Sequence, residues 1–238
     1  MVHNVCFLSV VVPTLNESLN IGRTLRYIRC TDPLAELIVV DGGSTDGTVE
    51  IAKKYANKVI VKKSKTIGAA RNVGAKAAKG EIILFVDADT IPHMEFFDKI
   101  RTICARDHKV VGAGCLIMPR NVNFFESLFF YFLNFIVYLS VQIGRPAIAG
   151  SCVAYRRKAF WKVGGFDEEM VASEDQDLCN RIARVGQVIF SPRIVAYTSP
   201  RRLRELGFFG LLIDWGKTTF NFLLGIKNKK YRLTHEVQ

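Results

Sequence analysis

Two aspartates one residue apart, Asp87 and Asp89, close the apolar run "EIILFVDADT". Carboxylates that near repel, so one of them must pick up its proton more readily. A divalent cation removes the conflict, and hard oxygen ligands suit Mg²⁺ or Mn²⁺, which keep waters and bridge phosphates. In a continuing strand both side chains would face one side. If the chain turns at Ala88, one carboxylate can reach a nucleotide while the other reaches a metal. A competing reading makes Asp89 or Thr90 the cap of a helix over "PHMEFFDKI", with Pro92 near its first turn. A second acidic group, Glu174, Asp175 and Asp177, opens "SEDQDLCNRIARVG". That stretch reads as a helix capped by Ser173 and stopped at Gly186. Its acids either favour the helix dipole or supply a general base.

These groups need a scaffold. "VCFLSVVVP" is a continuous β-branched run, as expected for a strand buried on both faces. "NESLNIGRTLRYI" follows, with Leu19, Ile21, Leu25 and Ile28 at near-helical spacing. "ELIVVDGG" is a second strand, and "STDGTVEIAKKYA" opens a helix with Ser44, Thr45 and Asp46 as cap candidates. "NKVIVKK", "IGAARNVGAKAAK" and "EIILFVDADT" give a third strand, a small-residue helix and a fourth strand. Repeated β-α-β predicts an α/β fold with a mostly parallel sheet and helices on both faces. Ligands of such sheets bind beyond the carboxyl ends of the strands. Three of those ends are unusually polar: Pro13-Thr14-Leu15-Asn16-Glu17, Asp41-Gly42-Gly43-Ser44 and Asp87-Ala88-Asp89. The glycines of "DGGSTDG" let backbone approach a flat ligand closely.

The chain has 238 residues and a formal net charge of +11. That length favours one large domain, and that charge an anionic partner: nucleotide, nucleic acid or membrane surface. Nucleic acid is not expected, because the basic residues are not interleaved with aromatics in a recognisable module. Cys6, Cys30, Cys104, Cys115, Cys152 and Cys179 form no C-x-x-C pair and read as buried, reduced thiols of an intracellular protein. The opening "MVHNVCFLSVVVP" lacks a basic flank and breaks at Pro13, so no secretion signal is expected.

In order along the chain, "VVVPTLNE" (10–17), "VVDGGSTDGT" (39–48), "GAARNVGAKAAKGEIILFVDADT" (68–90), "GGFDE" (164–168) and "SEDQDL" (173–178) resemble glycosyltransferase family 2, the inverting enzymes with a GT-A fold. The resemblance implies one GT-A domain over residues 1–202, with a nucleotide-binding half (1–92) and an acceptor half (93–202), then an amphipathic tail (203–238). It implies a nucleotide-diphospho-sugar donor, a UDP- or GDP-sugar, and Mg²⁺ or Mn²⁺. Pro13, Thr14, Leu15 and Glu17 would lie around base and ribose, and Asp41, with Gly42 and Ser44, against the base. Arg71 is expected near the nucleotide, Asp87 and Ala88 near the ribose, and Asp89 with Asp87 on the metal. The metal would neutralise the leaving diphosphate as a Lewis acid. Asp175, beside Glu174, would deprotonate the acceptor from the side opposite the leaving group. The family often carries a histidine or a Q/R-x-x-R-W element near the end of this region. This chain has "VAYTSPRRLRE" instead, where Arg201, Arg202 and Arg204 are candidates for the donor diphosphate or an acceptor phosphate, with Tyr197 and Thr198 as further candidates for closing the site.

Two apolar segments remain. "FFESLFFYFLNFIVYLSVQI" (124–143) is as long as a membrane span. A span there would separate Asp89 from Asp175 across a bilayer. Glu126, Asn134 and Gln142 fall towards one helical face, which suits a helix lying in the interface or a groove for a lipid acceptor. "LGFFGLLIDWGKTTFNFLLGI" (206–226) repeats the design, with Leu206, Phe209, Ile213, Phe220 and Leu224 on a stripe, and the basic "KNKKYR" (227–232) follows. That cluster suits an anionic membrane surface. The expectation is an inverting, metal-dependent transferase peripherally bound to the inner face of the cell membrane, acting on a polyprenyl phosphate or lipid-linked saccharide. The alternatives are a soluble glycan acceptor with the greasy helices forming a homodimer, or a nucleotide-sugar-binding protein without turnover. A nucleotidyltransferase would need a Gly-rich, lysine-bearing loop after the first strand, and "PTLNE" is not one.

Overall fold

Three apolar runs make the centre of the sheet. β1 (Leu8–Thr14) lies between β2 (Glu36–Asp41) and β4 (Ile82–Val86), with β3 (Lys58–Val61) outside β2, all parallel. Every residue of β1 and β4 is buried, as continuous apolar runs require of strands covered on both faces. The computed structural model describes residues 7–223. The crossovers in this half are α1 (Ile21–Thr31), α2 (Thr48–Ala52) and α3 (Ile67–Ala77). α1 buries Ile21, Leu25 and Ile28, but Leu19, expected on the same stripe, is 93% exposed. The turn before it, in which Asn20 and Ile21 donate to the Glu17 carbonyl, starts the helix too late to include Leu19. α2 is preceded by Gly47 at φ 87°, so neither Ser44 nor Thr45 caps it; Asp46 does accept from the Thr48 amide at 3.1 Å.

The second half comprises β5 (Ile91–Pro92), α4 (Met94–Arg106), β6 (Val110–Pro119), α5 (Phe124–Gln142), β7 (Cys152–Arg156), α6 (Arg157–Lys162), α7 (Glu174–Ala183), β8 (Gln187–Thr198) and α8 (Arg201–Leu223). One sheet runs β3-β2-β1-β4-β7-β6-β8-β5. β7 is antiparallel to both β4 and β6, and β5 to β8, while β6 and β8 are parallel. The sheet is therefore parallel in its first half and mixed in its second.

Alternate residues of β1 feed the two faces, as the two-residue period of a strand demands. Val10 and Val12 join α1 and α4 in one core, and Val11 joins Ile38, Val40, Phe85 and α7 in the other. A third cluster, Met118, Phe130, Leu203 and Leu211, seats α5 and α8 on β6. The helix expected over 206–226 begins earlier, at Arg201, and is kinked at Gly207 (φ 65°, ψ 170°), a backbone state that glycine adopts without strain. Leu224 and the "KNKKYR" run lie outside the described residues. Cys115, Cys152 and Cys179 are buried free thiols as expected, but Cys30 is exposed on α1; Cys6 and the Cys104 side chain lie outside what is described.

Candidate active site

The site forms where β1, β2 and β4 end together. β4 stops at Val86, and the chain turns at once, the Thr90 amide donating to the Asp87 carbonyl at 3.0 Å. Asp87 and Asp89 thus leave the strand towards different partners. The cap reading of the pair fails: α4 begins after His93, whose Nδ1 accepts from the Glu95 amide.

Arg71 lies at the centre. Its Nη2 donates to Asp87 at 2.9 Å and its Nη1 to Glu174 at 2.8 Å, with the guanidinium 5.4 Å from the centre of the Phe166 ring. Burial pulls its pKa down, but Asp87 and Glu174 outweigh that and hold it charged. Glu174 is pushed up to about 7 by burial and by Asp175, against the pull of Arg71. One buried cation therefore ties the β4 end to the start of α7.

Asp89 sits in a more acidic corner. It accepts from Thr198 Oγ1 at 3.2 Å and Thr90 Oγ1 at 3.3 Å. Burial, then Asp87 and Glu17, push its pKa up to about 6. The Arg201 guanidinium is 4.0 Å away but committed to Glu17 at 2.7 Å. Arg120 donates to the Asp89 carbonyl at 3.3 Å, a basic neighbour the sequence did not single out. Three carboxylates, the buried Glu17 and the half-buried Asp87 and Asp89, thus crowd one edge with Arg71 and Arg201 as counter-charges. Among the described residues no three His, Cys, Asp or Glu groups converge to enclose a metal unaided. The under-neutralised Asp89 fits a cation that takes its remaining ligands from water and phosphate oxygens.

The loops at the ends of β1 and β2 are stitched to each other. Asp41 accepts from the Gly43 and Ser44 amides at 2.8 Å and from the Ser44 hydroxyl at 2.5 Å. Gly42 donates to the Thr14 carbonyl, Asn16 (φ 50°) to Ser44 Oγ, and Glu17 to Thr48 Oγ1. Asp46 accepts from the Ser18 amide, and although burial opposes it, the Thr48 and Ser18 bonds hold its pKa down to about 2. Pro13, Thr14 and Asp41 are buried at this edge, and Thr14 Oγ1 has no partner among the described residues.

Asp175 is half-buried; its Oδ2 accepts from the Gly150 amide and its Oδ1 from the Gln176 amide, both at 2.8 Å. The next residue of that loop, Ser151, accepts the Asp87 amide at 3.1 Å, so one short loop positions both carboxylates. Gly150 is required there: a Cβ would lie 2.7 Å from Arg71 Nη1. Reading the sequence did not single out this positioning residue, its only signal being the small "AGS" ahead of β7. Asn72 was missed too; it bonds both backbone groups of Phe166 and the Glu168 side chain, seating "GGFDE" beside α3. Ser173, expected as a side-chain cap, has φ 62° and makes no cap bond, while Asp177 pairs with Arg181. Arg202 and Arg204 are not brought to the acidic edge: they pair with Asp214 and Glu126.

Several known proteins resemble this chain. A "Glycosyltransferase AglE" of Haloferax volcanii is 28% identical over 212 residues, 84% of this chain and 69% of that protein. The "O-antigen chain rhamnosyltransferase WbaN" of Salmonella anatum is 30% identical, over 76% of this chain and 62% of that protein. The chain thus spans about two thirds of these relatives. Among solved structures, the mannosyltransferase PcManGT of Pyrobaculum calidifontis, in complex with GDP-Man and Mn²⁺, superposes with a TM-score of 0.67 at 22% identity, over 89% of this chain and 64% of that one. That likeness fixes the fold as the mixed α/β GT-A arrangement. The model of the family "Glycosyl transferase family 2" matches residues 9–164, and the chain belongs to that family of glycosyltransferases.

Proposed function

We propose that the protein transfers a sugar, with inversion and with the help of a divalent metal, from a UDP- or GDP-sugar to a lipid-linked acceptor at an anionic membrane face. The observation that carries the reading is that Arg71, bonded to Asp87 and Glu174, ties together the two segments that bear Asp89 and Asp175, carboxylates in unlike surroundings. Both are half-buried, but Asp89 sits beside other acids and its pKa is pushed up to about 6, whereas Asp175 is held by two amides. In this reading Pro13, Thr14, Leu15, Asp41, Gly42 and Ser44 receive the nucleotide, and the orphaned Thr14 hydroxyl gains a partner. Asp89, with Asp87 beside it, would hold Mg²⁺ or Mn²⁺, whose chemistry is to neutralise the leaving diphosphate. The Mn²⁺ in the PcManGT complex supports that assignment. Arg201, already drawn to Glu17 and Asp89, would add its charge on the diphosphate side. Asp175 takes the acceptor proton, its orientation fixed by the Gly150 and Gln176 amides. Arg71 keeps Glu174 and Asp87 in register around that centre. Residues 1–202 act as the catalytic unit and 203–238 as its membrane-facing tail.

The test is Asp175→Asn, assayed for nucleotide binding and for transfer of labelled sugar into the solvent-extractable lipid of a membrane preparation. Binding is expected to persist while transfer falls by at least about a hundredfold, the scale of a lost general base. Transfer at the wild-type rate would reject Asp175 as the base. Label appearing only in water-soluble glycan would move the acceptor to the soluble class.

A further inference from the structure

α5 is folded inside out. Its one charged residue, Glu126, binds Arg204, and its central amide, Asn134, is buried, accepting from the Ile117 amide at 3.0 Å and donating to the Ile117 carbonyl at 2.9 Å. The opposite side presents Phe125, Phe132, Phe135 and Ile136 to the outside, at 78, 58, 54 and 47% exposure, with no charged residue among them. Beside it α8 exposes Phe209 (76%) and Phe220 (61%), and the two helices are locked by Phe129 on Phe208 and Phe130 on Trp215. A helix in water would place Asn134 outside and these rings inside. An apolar aromatic patch spanning two helices marks a surface that is covered in use.

We infer that this α5–α8 face docks in the plane of an anionic lipid surface. Its surroundings favour lipid over a second copy of the chain. Arg145 is exposed three residues past the end of α5, and Lys217 is exposed on α8 between Phe209 and Phe220 in sequence. From residue 201 onward the sequence carries eight Lys or Arg against three Asp or Glu, including the run at 227–232. Two such faces meeting across a two-fold axis would oppose like charges, whereas anionic headgroups complement them. α5 cannot be immersed on all sides, because Asn134 and Phe130 fix its inner face to β6 and α8. It therefore lies along the interface, with its rings at the headgroup boundary. α8 starts at Arg201, the residue bonded to Glu17 at the nucleotide edge, so the docking face and the site share an element. The inference deepens the membrane reading given above and rests on it for its purpose, but it is tested by binding, not by turnover.

The full chain would be floated with vesicles of phosphatidylcholine alone and of phosphatidylcholine mixed with phosphatidylglycerol. It is expected to float with the mixed vesicles, to release as salt is raised, and to stay behind with the neutral ones. Phe132→Ser combined with Ile136→Ser, both already solvent-facing, should lower binding by roughly a hundredfold, as the loss of two buried apolar side chains implies. A separate pair, Arg145→Glu with Lys217→Glu, should lose the preference for anionic vesicles. Neither pair touches the nucleotide edge, so thermal stabilisation by nucleotide with Mn²⁺ should be unchanged; that readout separates failure of this surface from failure of the transferase reading. Flotation undiminished in the serine variant would overturn the inference. So would a wild-type chain that ignores anionic vesicles and sediments as a dimer that the serine variant splits.

Discussion

Arg71 and Asp89 carry the electrostatics of the site in opposite ways. Arg71 is buried with two carboxylate partners, so Arg71→Met should leave Asp87 and Glu174 uncompensated and destabilise the fold by about 3–5 kcal/mol. Adding Glu174→Gln should recover part of that stability in denaturant unfolding, without recovering transfer. Asp89 is the reverse case. Its carboxyl is pushed from the ordinary 3.8 to about 6, so the folded chain holds that proton more tightly than the unfolded one. Its contribution to stability is fully present below about pH 4 and is lost as pH rises through about 6. Asp89→Asn should therefore stabilise the metal-free protein at pH 7, by on the order of 2 kcal/mol, and the gain should vanish near pH 4. A melting series against pH without added metal checks this. A gain in stability that coincides with loss of metal-dependent binding is what a functional carboxylate held in strain looks like.

The elements explain what could be read in advance. The parallel β-α-β half was legible because its strands are continuous apolar runs and its polar strand ends fall on one edge by topology. The turn after Val86 was one of two open geometries, since a run ending in D-x-D does not reveal whether pairing continues. β7 was not foreseen as antiparallel, because strand direction depends on how α5 returns the chain and not on any local pattern. Gly150, in the loop before β7, was not singled out for a related reason: it acts through its amide and its missing Cβ, neither of which has a motif. Gly150→Ala should displace Arg71, lowering the melting temperature and the transfer rate together, while nucleotide affinity moves less. A crystal structure or an arginine side-chain NMR signal would register the displaced guanidinium. If Gly150→Ala leaves stability and transfer both unaltered, the loop is not the positioning device described here. The kink at Gly207 was likewise invisible in an apolar stripe that runs straight through it.

On the scale of the molecule, one sheet carries the acidic edge, the Asp175 loop proposed to face the acceptor and an apolar face, joined by Arg71 on one side and by Arg201 at the head of α8 on the other. In the function proposed above, the net charge of +11 would serve two anionic partners, the diphosphate donor and the lipid surface. If the acidic edge is a metal-dependent nucleotide site, as proposed, nucleotide binding must depend on both the metal and Asp89. The direct measurement is the melting temperature of the wild type, Asp89→Ala and Asp175→Asn with UDP and with GDP, each with Mn²⁺ and with chelator. A ligand that binds only the folded chain adds about 2.7 kcal/mol at a hundredfold excess over its dissociation constant, a readable shift. The expected result is a shift with one nucleotide that needs Mn²⁺, survives in Asp175→Asn and disappears in Asp89→Ala. A shift of equal size in chelator, or one retained by Asp89→Ala, would contradict it.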